Sequence, residues 1–190
     1  KRTALEVSDA YLSLGGADTK TITIEGATGA EEFYLTTSYW GRIITVNPEA
    51  TVTFKNCVLN RDLYNSTPWD QHDIVFYNTN AVLENVVINN ALAIDKANAT
   101  LKNVTINEQN VGAYALWITA TSGTVKMENC NINAFHKDGR AIKISDQYVA
   151  EADRKAVVLE INGGKFVANS KPAIYVGNTA GANVTVKNLD

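Results

Sequence analysis

The chain has 190 residues, of which 45% are hydrophobic and 19% charged, and its formal net charge is −3. This composition excludes an intrinsically disordered chain, and it disfavours non-specific nucleic-acid binding, which requires an excess of Lys and Arg. No apolar run approaches the roughly 18 residues of a membrane-spanning helix, and the length suits one domain with a substantial core.

The abundant and the rare residue types both favour β structure. Val, Ile and Thr, which suit a pleated surface, are frequent, whereas the chain has only three Pro and one Met. Asn is also frequent, and Asn favours turns and left-handed backbone positions. The composition therefore predicts many short strands separated by sharp bends.

The first predicted element is an N-terminal cap over residues 1–19, which includes a short helical turn within 4–14. From residue 20 to residue 190 the chain is repetitive, and the repeats are expected to continue or to be capped beyond the C-terminus. An eight-residue pattern recurs there, with hydrophobic residues on both sides of an Asn or Gly. Its copies cover 53–60, 82–89, 100–107, 126–133 and 160–167, and a shorter one covers 185–190. The spacing between copies varies, which predicts repeats with loops of different lengths.

The hydrophobic residues of each copy change phase at the Asn. Phe54 and Cys57 are three residues apart, whereas the pairs on either side follow the period of two that a strand requires. A straight strand would expose the second pair, so both pairs stay buried only if the chain bends between them. Residues that tolerate a left-handed backbone stand at this bend. They are Asn56, Asn85, Asn103, Asn129, Gly163 and Asn188.

A short alternating strand precedes each copy, and two of its residues, two positions apart, are expected to face the core. These pairs are Ile44 and Val46, Ile74 and Phe76, Leu92 and Ile94, Leu116 and Ile118, Ile142 and Ile144, and Ile174 and Val176. Every repeat keeps the same order and direction of strands, so neighbouring repeats are expected to pair in parallel. The connections are too short for the helices of a βα repeat, although a helical turn is expected within 147–155.

With the motif [VTA]-x-[VLIFM]-x-[NG]-x-x-[LIF] and the A-I-x-I-type strand before it, the sequence resembles the right-handed parallel β-helix proteins of the pectate-lyase-like superfamily over residues 20–190. The resemblance implies an all-β fold, a right-handed single-stranded parallel β-helix solenoid of about six or seven coils. Within the superfamily the chain is most similar to uncharacterised bacterial secreted or surface proteins of the adhesin-like kind. Lyases, hydrolases, adhesins and non-catalytic surface proteins share this fold, so the resemblance selects no activity.

Stacked repeats would bring the bend residues into one row, where Asn side chains can hydrogen-bond between repeats as a structural ladder. Asn60, Asn89, Asn107 and Asn133 would form a second row at the next corner. Cys57 and Cys130 share one position of the repeat with two repeats between them. They should lie about 14 Å apart, which is too far for a disulfide. We expect two buried, reduced thiols.

The candidate ligand-binding residues precede the upstream strands and share one edge of the stack. Aromatic rings on such an edge can stack against the flat faces of sugar rings, or they can simply cover the ends of the core. The insertion 61–73 carries aromatic, acidic and His side chains. The predicted ligand-binding residues are Trp40, Arg42, Tyr64, Trp69, Asp70, His72, Asp73 and Tyr114, with Trp117 as a further exposed candidate.

In polysaccharide lyases of the superfamily, a carboxylate-bound Ca²⁺ acidifies the sugar proton and a basic residue removes it. The nearest ingredients here are Asp70, Asp73, Arg42 and Arg61, and no D-x-D pair stands on a strand. A second charged cluster, 136–140, lies three repeats away, or about 14 Å, so one centre is not expected to use both. No catalytic residue and no metal ligand are predicted, and Ca²⁺ is expected only under the lyase alternative.

The sequence thus favours a non-catalytic secreted or cell-surface β-helix module for adhesion or glycan binding. Its expected partner is a polysaccharide or a host- or cell-surface glycan, with no nucleic acid, no cofactor and no transmembrane segment. The alternative is a polysaccharide lyase or glycoside hydrolase acting on an acidic polysaccharide. Three or more carboxylates converging in a groove beside an Arg or Lys would favour the enzyme.

Overall fold

The computed structural model describes residues 2–5, 11–29, 31–35, 42–61, 74–108, 114–145, 149–177 and 179–189. Within these ranges the chain is all-β, with one 3-10 turn at Glu151–Asp153. In chain order the strands are β1 (Arg2–Leu5), β2 (Tyr11–Leu14), β3 (Thr21–Glu25), β4 (Glu32–Leu35), β5 (Arg42–Thr45), β6 (Thr51–Arg61), β7 (Ile74–Tyr77), β8 (Asn80–Ile88), β9 (Leu92–Asp95), β10 (Ala99–Lys102), β11 (Thr105–Glu108), β12 (Tyr114–Ile118), β13 (Thr124–Ala134), β14 (Arg140–Ile144), β15 (Val157–Val167), β16 (Ile174–Val176) and β17 (Ala182–Lys187).

These strands form two sheets in which the neighbouring strands are parallel. Sheet B contains the seven strands β2, β5, β7, β9, β12, β14 and β16, and sheet A contains the other ten. The chain alternates between the sheets, so each strand of sheet B is followed by strands of sheet A. We call one such unit a repeat; the first is β2–β4 and the last is β16–β17. This arrangement is compatible with a β-helix solenoid.

The N-terminal segment is extended where the structure describes it. β1 pairs with β4 in sheet A, and β2 pairs with β5 in sheet B. The helical turn expected within 4–14 is therefore wrong for residues 4–5 and 11–14, because both segments pair as strands with later parts of the chain. The turn expected within 147–155 is present as the 3-10 turn.

The upstream strands turn the expected residues toward the core in β7, β9, β12 and β14, but not in β5. Ile43 is fully buried and Thr45 is buried, whereas Val46 is 51% exposed. Ile43 lies opposite Phe76 of the next strand, which fixes the phase of β5. The predicted inward pair Ile44 and Val46 is therefore wrong by one residue.

The bend inside each sheet A strand has a left-handed backbone. The φ angles are 50° at Asn56, 54° at Asn85, 52° at Asn103, 51° at Asn129, 77° at Gly163 and 53° at Asn188. Residues on both sides of the bend are buried, for example Phe54 and Cys57. Four of these bends lie inside continuous strands, Asn103 separates β10 from β11, and Asn188 follows the end of β17. The left-handed residue thus keeps both halves of the strand facing the core.

The bend Asn side chains are hydrogen-bonded between repeats. Asn56 donates to Glu25 over 2.8 Å, Asn85 to Asn56 over 3.0 Å, and Asn103 to Asn85 over 3.0 Å. At Gly163 the row changes, because a Cβ there would collide with Oδ1 of Asn129. A second row joins Asn60, Asn89, Asn107 and Asn133 through distances of 2.9, 3.4 and 3.0 Å. Each hydrogen bond pairs an amide group of one repeat with an amide of the next, although the buried Nδ2 of Asn60, at the start of the second row, has no hydrogen-bond partner among the described residues.

The outward residues just before the bend alternate in charge from Glu25 to Glu128, and the row ends with the neutral Asn162 and with Lys187. We call this row the charge ladder. In sheet order it is Glu25, Lys55, Glu84, Lys102, Glu128, Asn162 and Lys187. Lys55 Nζ lies 2.8 Å from Glu84 Oε2, and Lys102 Nζ lies 3.8 Å from Glu128 Oε2. Opposite charges on neighbouring strands favour this register, since like charges directly opposite each other are destabilising.

The core between the two sheets is continuous through the repeats. Phe54 of sheet A meets Phe76 of sheet B edge to face, with ring centroids 6.0 Å apart. Cys57 and Cys130 lie in this core as free, buried thiols, as the sequence predicts. Burial, with a smaller effect of Glu31, raises the pKa of Cys57 to about 11. Burial also raises the pKa of Cys130.

Substitutions at Asn85 test how much the bend residue contributes to the stability of the fold. Asn85→Ala should lower the free energy of unfolding by about 2 kcal/mol, because Ala loses two hydrogen bonds and is strained at positive φ. Asn85→Gly tolerates the backbone and loses only the hydrogen bonds, so about 1 kcal/mol is expected. Urea denaturation measures both values. Asn131→Ala, on the exposed side of β13, is the control and should change stability by less than about 0.5 kcal/mol. Equal losses for all three variants would contradict the role of the bend.

The reactivity of the two thiols tests whether the core is closed to solvent. Neither should react with a disulfide reagent in native protein at pH 8, and both should react in guanidinium. The folded-state pKa of Cys57 lies above its unfolded value, 9.0. Its contribution to stability is therefore complete below pH 9 and is lost as the pH rises toward 11. Cys57→Ala should reduce the fall in unfolding free energy over that interval. Rapid reaction of both thiols in the native protein would show that the core is open.

Candidate functional site

Of the eight residues predicted to bind a ligand, the structure describes Arg42 and Tyr114. The others lie outside the described residues, and their roles remain predictions; they are Trp40, Tyr64, Trp69, Asp70, His72 and Asp73. Arg42 begins β5 and Tyr114 begins β12. Both strands belong to sheet B, where β7 and β9 separate them. The two residues therefore lie on the same sheet but do not contact each other.

Sheet B turns successive side chains to opposite sides. Leu116 and Ile118 are fully buried in the core, so Trp117 between them faces outward. The residues in register with Trp117 on the neighbouring strands are Val75, Ala93, Lys143 and Tyr175. Val75 and Ala93 are small and almost fully buried. The outward side of β7 and β9 is therefore covered at this row, and large, partly exposed side chains stand on the sheet from β12 onward.

Aromatic rings and cations are paired along this outward side. We call the surface the aromatic–cation face; it consists of Arg42, Tyr77, Lys96, Tyr114, Trp117, Arg140, Lys143 and Tyr175. Each cation lies close enough to a ring, within roughly 6 Å of its centroid, to be attracted by the negative ring face. All four cations and all rings except Tyr114 keep part of their surface exposed.

The first group on the face surrounds Tyr77. The Arg42 guanidinium carbon lies 4.8 Å from the ring centroid of Tyr77, and Lys96 Nζ lies 5.2 Å from it. Lys96 also donates a hydrogen bond to the Tyr77 hydroxyl over 3.2 Å. This hydrogen bond raises the pKa of Lys96, so the ammonium stays charged throughout the physiological range. Tyr77 is therefore an aromatic group contacted by two positive charges.

The second group surrounds Trp117. Tyr114 packs against it with ring centroids 5.5 Å apart and an interplanar angle of 48°. Lys143 Nζ lies 5.0 Å from the Tyr114 ring and 5.1 Å from the Trp117 ring. Trp117 Nε1 donates to the backbone carbonyl of Ser145. Tyr114 is only 5% exposed, so it supports Trp117 from behind and presents little ring surface of its own.

The third group is Tyr175 with Arg140. The Arg140 guanidinium carbon lies 4.8 Å from the Tyr175 ring centroid, and Tyr175 is 37% exposed. The three rings with exposed surface, Tyr77, Trp117 and Tyr175, belong to β7, β12 and β16, which are every second strand of sheet B. Trp117 and Tyr175 share one row across the strands and are therefore about 10 Å apart, whereas Tyr77 lies two residues further along its strand than that row.

The ingredients of a catalytic centre are not assembled in the part of the chain that the structure describes. No group of three or more His, Cys, Asp or Glu side chains that could hold a metal ion occurs among these residues. Within the cluster 136–140, His136 Nδ1 accepts a hydrogen bond from the backbone N–H of Asp138. Asp138 Oδ1 lies 3.7 Å from Lys171 Nζ. β14, which follows this cluster, is three strands from β7, as the sequence predicts. The Asp residues of 61–73 lie outside the described residues.

Sequence reasoning missed Tyr77, Lys96, Lys143 and Tyr175. Lys143 and Tyr175 stand between two inward residues of their strands, as Trp117 does, so the alternation that identified Trp117 applies to them as well. Tyr77 ends β7 and Lys96 follows β9, at a position with φ of 54°. No pattern in the sequence joins these two, because they meet only through the pairing of β7 with β9.

Comparison with known proteins gives no match: no protein-family model, curated protein or solved structure is significantly similar to this chain. In the described residues, no helix has the length and apolar character required to cross a lipid bilayer.

Proposed function

We propose that this chain is a non-catalytic glycan-binding module, and that an acidic polysaccharide lies across the strands of sheet B on the aromatic–cation face. The observation that supports the proposal is the position of Tyr77, Trp117 and Tyr175 on every second strand of one face, with Trp117 and Tyr175 in one row across the strands and Tyr77 two residues further along β7. Sugar rings have one flat, apolar side, and an aromatic ring replaces water on it at little conformational cost. A polysaccharide repeats its sugar rings at a regular spacing, so several of its sugars can contact several aromatic side chains at once.

The preference for an acidic polymer follows from the cations. Arg42, Lys96, Arg140 and Lys143 lie beside the same rings that would contact sugar. Sugar carboxylates or sulfates bound there would contact fixed positive charges already placed at the ring faces. The net charge of the whole chain is −3, so this concentration of positive charge is local to the face.

We also propose a more specific architecture for the two sheets. Two parallel sheets visited alternately, with a left-handed bend in each repeat, support a right-handed parallel β-helix of six or seven coils, similar to pectate-lyase-like proteins. A solenoid presents an extended face rather than a pocket, which suits a polymer. We place the module outside the cell or on its surface, where polysaccharides are the available partners.

Binding to polygalacturonate and to its fully methyl-esterified form tests the proposal. The acid should bind more tightly, because esterification removes the charge and keeps the sugar backbone. Trp117→Ala should weaken binding to the acid about tenfold or more, equivalent to roughly 1.4 kcal/mol of lost stacking. Lys143→Gln should weaken binding to the acid and leave binding to the ester unchanged. Isothermal titration calorimetry measures each affinity.

Phe135→Ala is the matched control, because Phe135 is 53% exposed but follows β13 of sheet A, away from the face. This variant should bind as the unmodified chain does. Equal weakening by Phe135→Ala and Trp117→Ala would contradict a site on sheet B, and so would absence of binding to every acidic polymer on a glycan array. Formation of unsaturated products in the presence of Ca²⁺ would replace the proposal with a lyase.

A further inference from the structure

Lys96 has a backbone conformation that a Lys residue does not favour. Its φ is 54°, in the left-handed region, and the equivalent residue of the preceding repeat is Asn78, with φ of 50°. Among the described residues, every other non-glycine residue with a positive φ is Asn, except Ser170. Asn adopts this conformation at lower cost than Lys does. A locally unfavourable residue at this position indicates that its side chain has a role of its own.

The ammonium group of Lys96 and the hydroxyl group of Tyr77 form a pair of adjacent hydrogen-bond donors at the end of β7. Lys96 Nζ donates to Tyr77 Oη over 3.2 Å, which uses one of the three N–H groups of the ammonium. The described part of the chain contains no acceptor for the Tyr77 hydroxyl hydrogen and no ion-pair partner for Lys96. Lys96 is exposed and Tyr77 is partly exposed, so a ligand can reach both donors.

The surroundings of this donor pair favour an anion. The Arg42 guanidinium carbon lies 4.8 Å from the centroid of the Tyr77 ring, so a second positive charge is close to the ammonium. Asp95, which is in register with Tyr77, accepts a hydrogen bond from the Thr119 hydroxyl of the next repeat over 3.0 Å. Two positive charges around one ring repel each other, and an anion bound between them would offset that repulsion.

Lys96 also lines a groove that is formed by the turns between the two sheets in five successive repeats. The groove has a volume of about 300 Å³, at the lower end of the range of small-molecule sites. The amide side chains of Asn80 and Asn98 line it as well, and amides can hydrogen-bond the hydroxyl groups of a sugar. Glu49 and Lys155, from the first and the last of these repeats, line its two far ends.

We infer that Lys96 Nζ and Tyr77 Oη together bind the two oxygens of one sugar carboxylate, and that the sugar carrying it lies at the mouth of the groove. This inference rests on the proposed function and adds the place where the acid group of the polymer is recognised. Donors 3.2 Å apart match the two oxygens of a carboxylate, which accepts from both at once. A methyl ester has no charge and only one strong acceptor oxygen, so the donor pair prefers the acid.

Tyr77→Phe tests the hydroxyl, because it keeps the ring and removes only the donor. Isothermal titration calorimetry with polygalacturonate should show binding to the acid weakened about tenfold, the loss expected for a hydrogen bond to a charged group. Binding to the methyl ester should weaken less, so the ratio of the two affinities falls. If Tyr77 only stacks against sugar, the variant binds the acid as the unmodified chain does, and that result would overturn the inference.

Lys96→Asn separates ligand recognition from stability. Asn removes the ammonium group and suits the left-handed backbone, so the unfolding free energy in urea should not fall. Binding to polygalacturonate should weaken about tenfold, because a charge-assisted hydrogen bond is lost, and binding to the ester should stay the same. A lower unfolding free energy with unchanged binding to the acid would assign Lys96 a structural role instead.

The double variant, Tyr77→Phe with Lys96→Asn, shows whether both donors act on one group. Each single variant breaks the same two-point contact, so the double variant should lose less affinity for the acid than the product of the two single losses. Losses that simply multiply would place the two residues at separate sites and contradict the inference.

Lys165→Asn is the matched control, because it removes the same charge at an exposed position of sheet A. It should bind both polymers as the unmodified chain does. If Trp117→Ala weakens binding to the acid while the Tyr77 and Lys96 variants bind it normally, the inference fails and the proposed function stands. If the unmodified chain binds no acidic polymer, both fail.

Discussion

The rest of the structure depends on one backbone constraint, the left-handed bend residue that recurs in sheet A from Asn56 to Asn188. A strand that continued straight would turn its second apolar pair to solvent. The positive φ at Asn56 and at its equivalents rotates the chain so that both pairs meet the same core. Asn accepts this conformation at lower cost than most residues and adds an amide that bonds to the next repeat. The residue that bends one repeat therefore also joins it to its neighbours.

The stacking of the repeats also fixes the register of neighbouring strands. Apolar columns, Asn rows and the charge ladder all favour the same alignment of neighbouring strands. Each contribution is small, because exposed pairs such as Lys102 with Glu128 are individually weak. Their agreement excludes alternatives, since a slip by one residue would turn apolar side chains outward and break the Asn rows together. The same alignment brings Tyr77, Trp117 and Tyr175 onto one face.

The aromatic–cation face consists of outward side chains on a sheet whose backbone is otherwise regular. Core residues of sheet B change little from repeat to repeat, whereas the outward positions differ between repeats, from the buried Val75 and Ala93 to the partly exposed Trp117 and Lys143. Trp117 is nevertheless well fixed, by Tyr114 behind it, by Lys143 beside it and by its hydrogen bond to the Ser145 carbonyl. A preorganised ring loses little freedom on binding, which favours recognition of a flexible polymer.

The sequence by itself determined the all-β class, the parallel pairing, the position of each bend and the burial of both Cys, because period-two alternation and the Asn phase change are local signals. It also identified Trp117 as outward-facing from its two neighbours. The tertiary structure decided the phase of β5, where pairing with Phe76 selects Ile43 over Ile44. It also decided the extended form of the N-terminal residues, since pairing with β4 and β5 outweighs any local helical preference. The contacts of Arg42 and Lys96 with Tyr77, and of Arg140 with Tyr175, join residues from different repeats. Loops of irregular length separate those residues along the chain, so only the three-dimensional register brings them together.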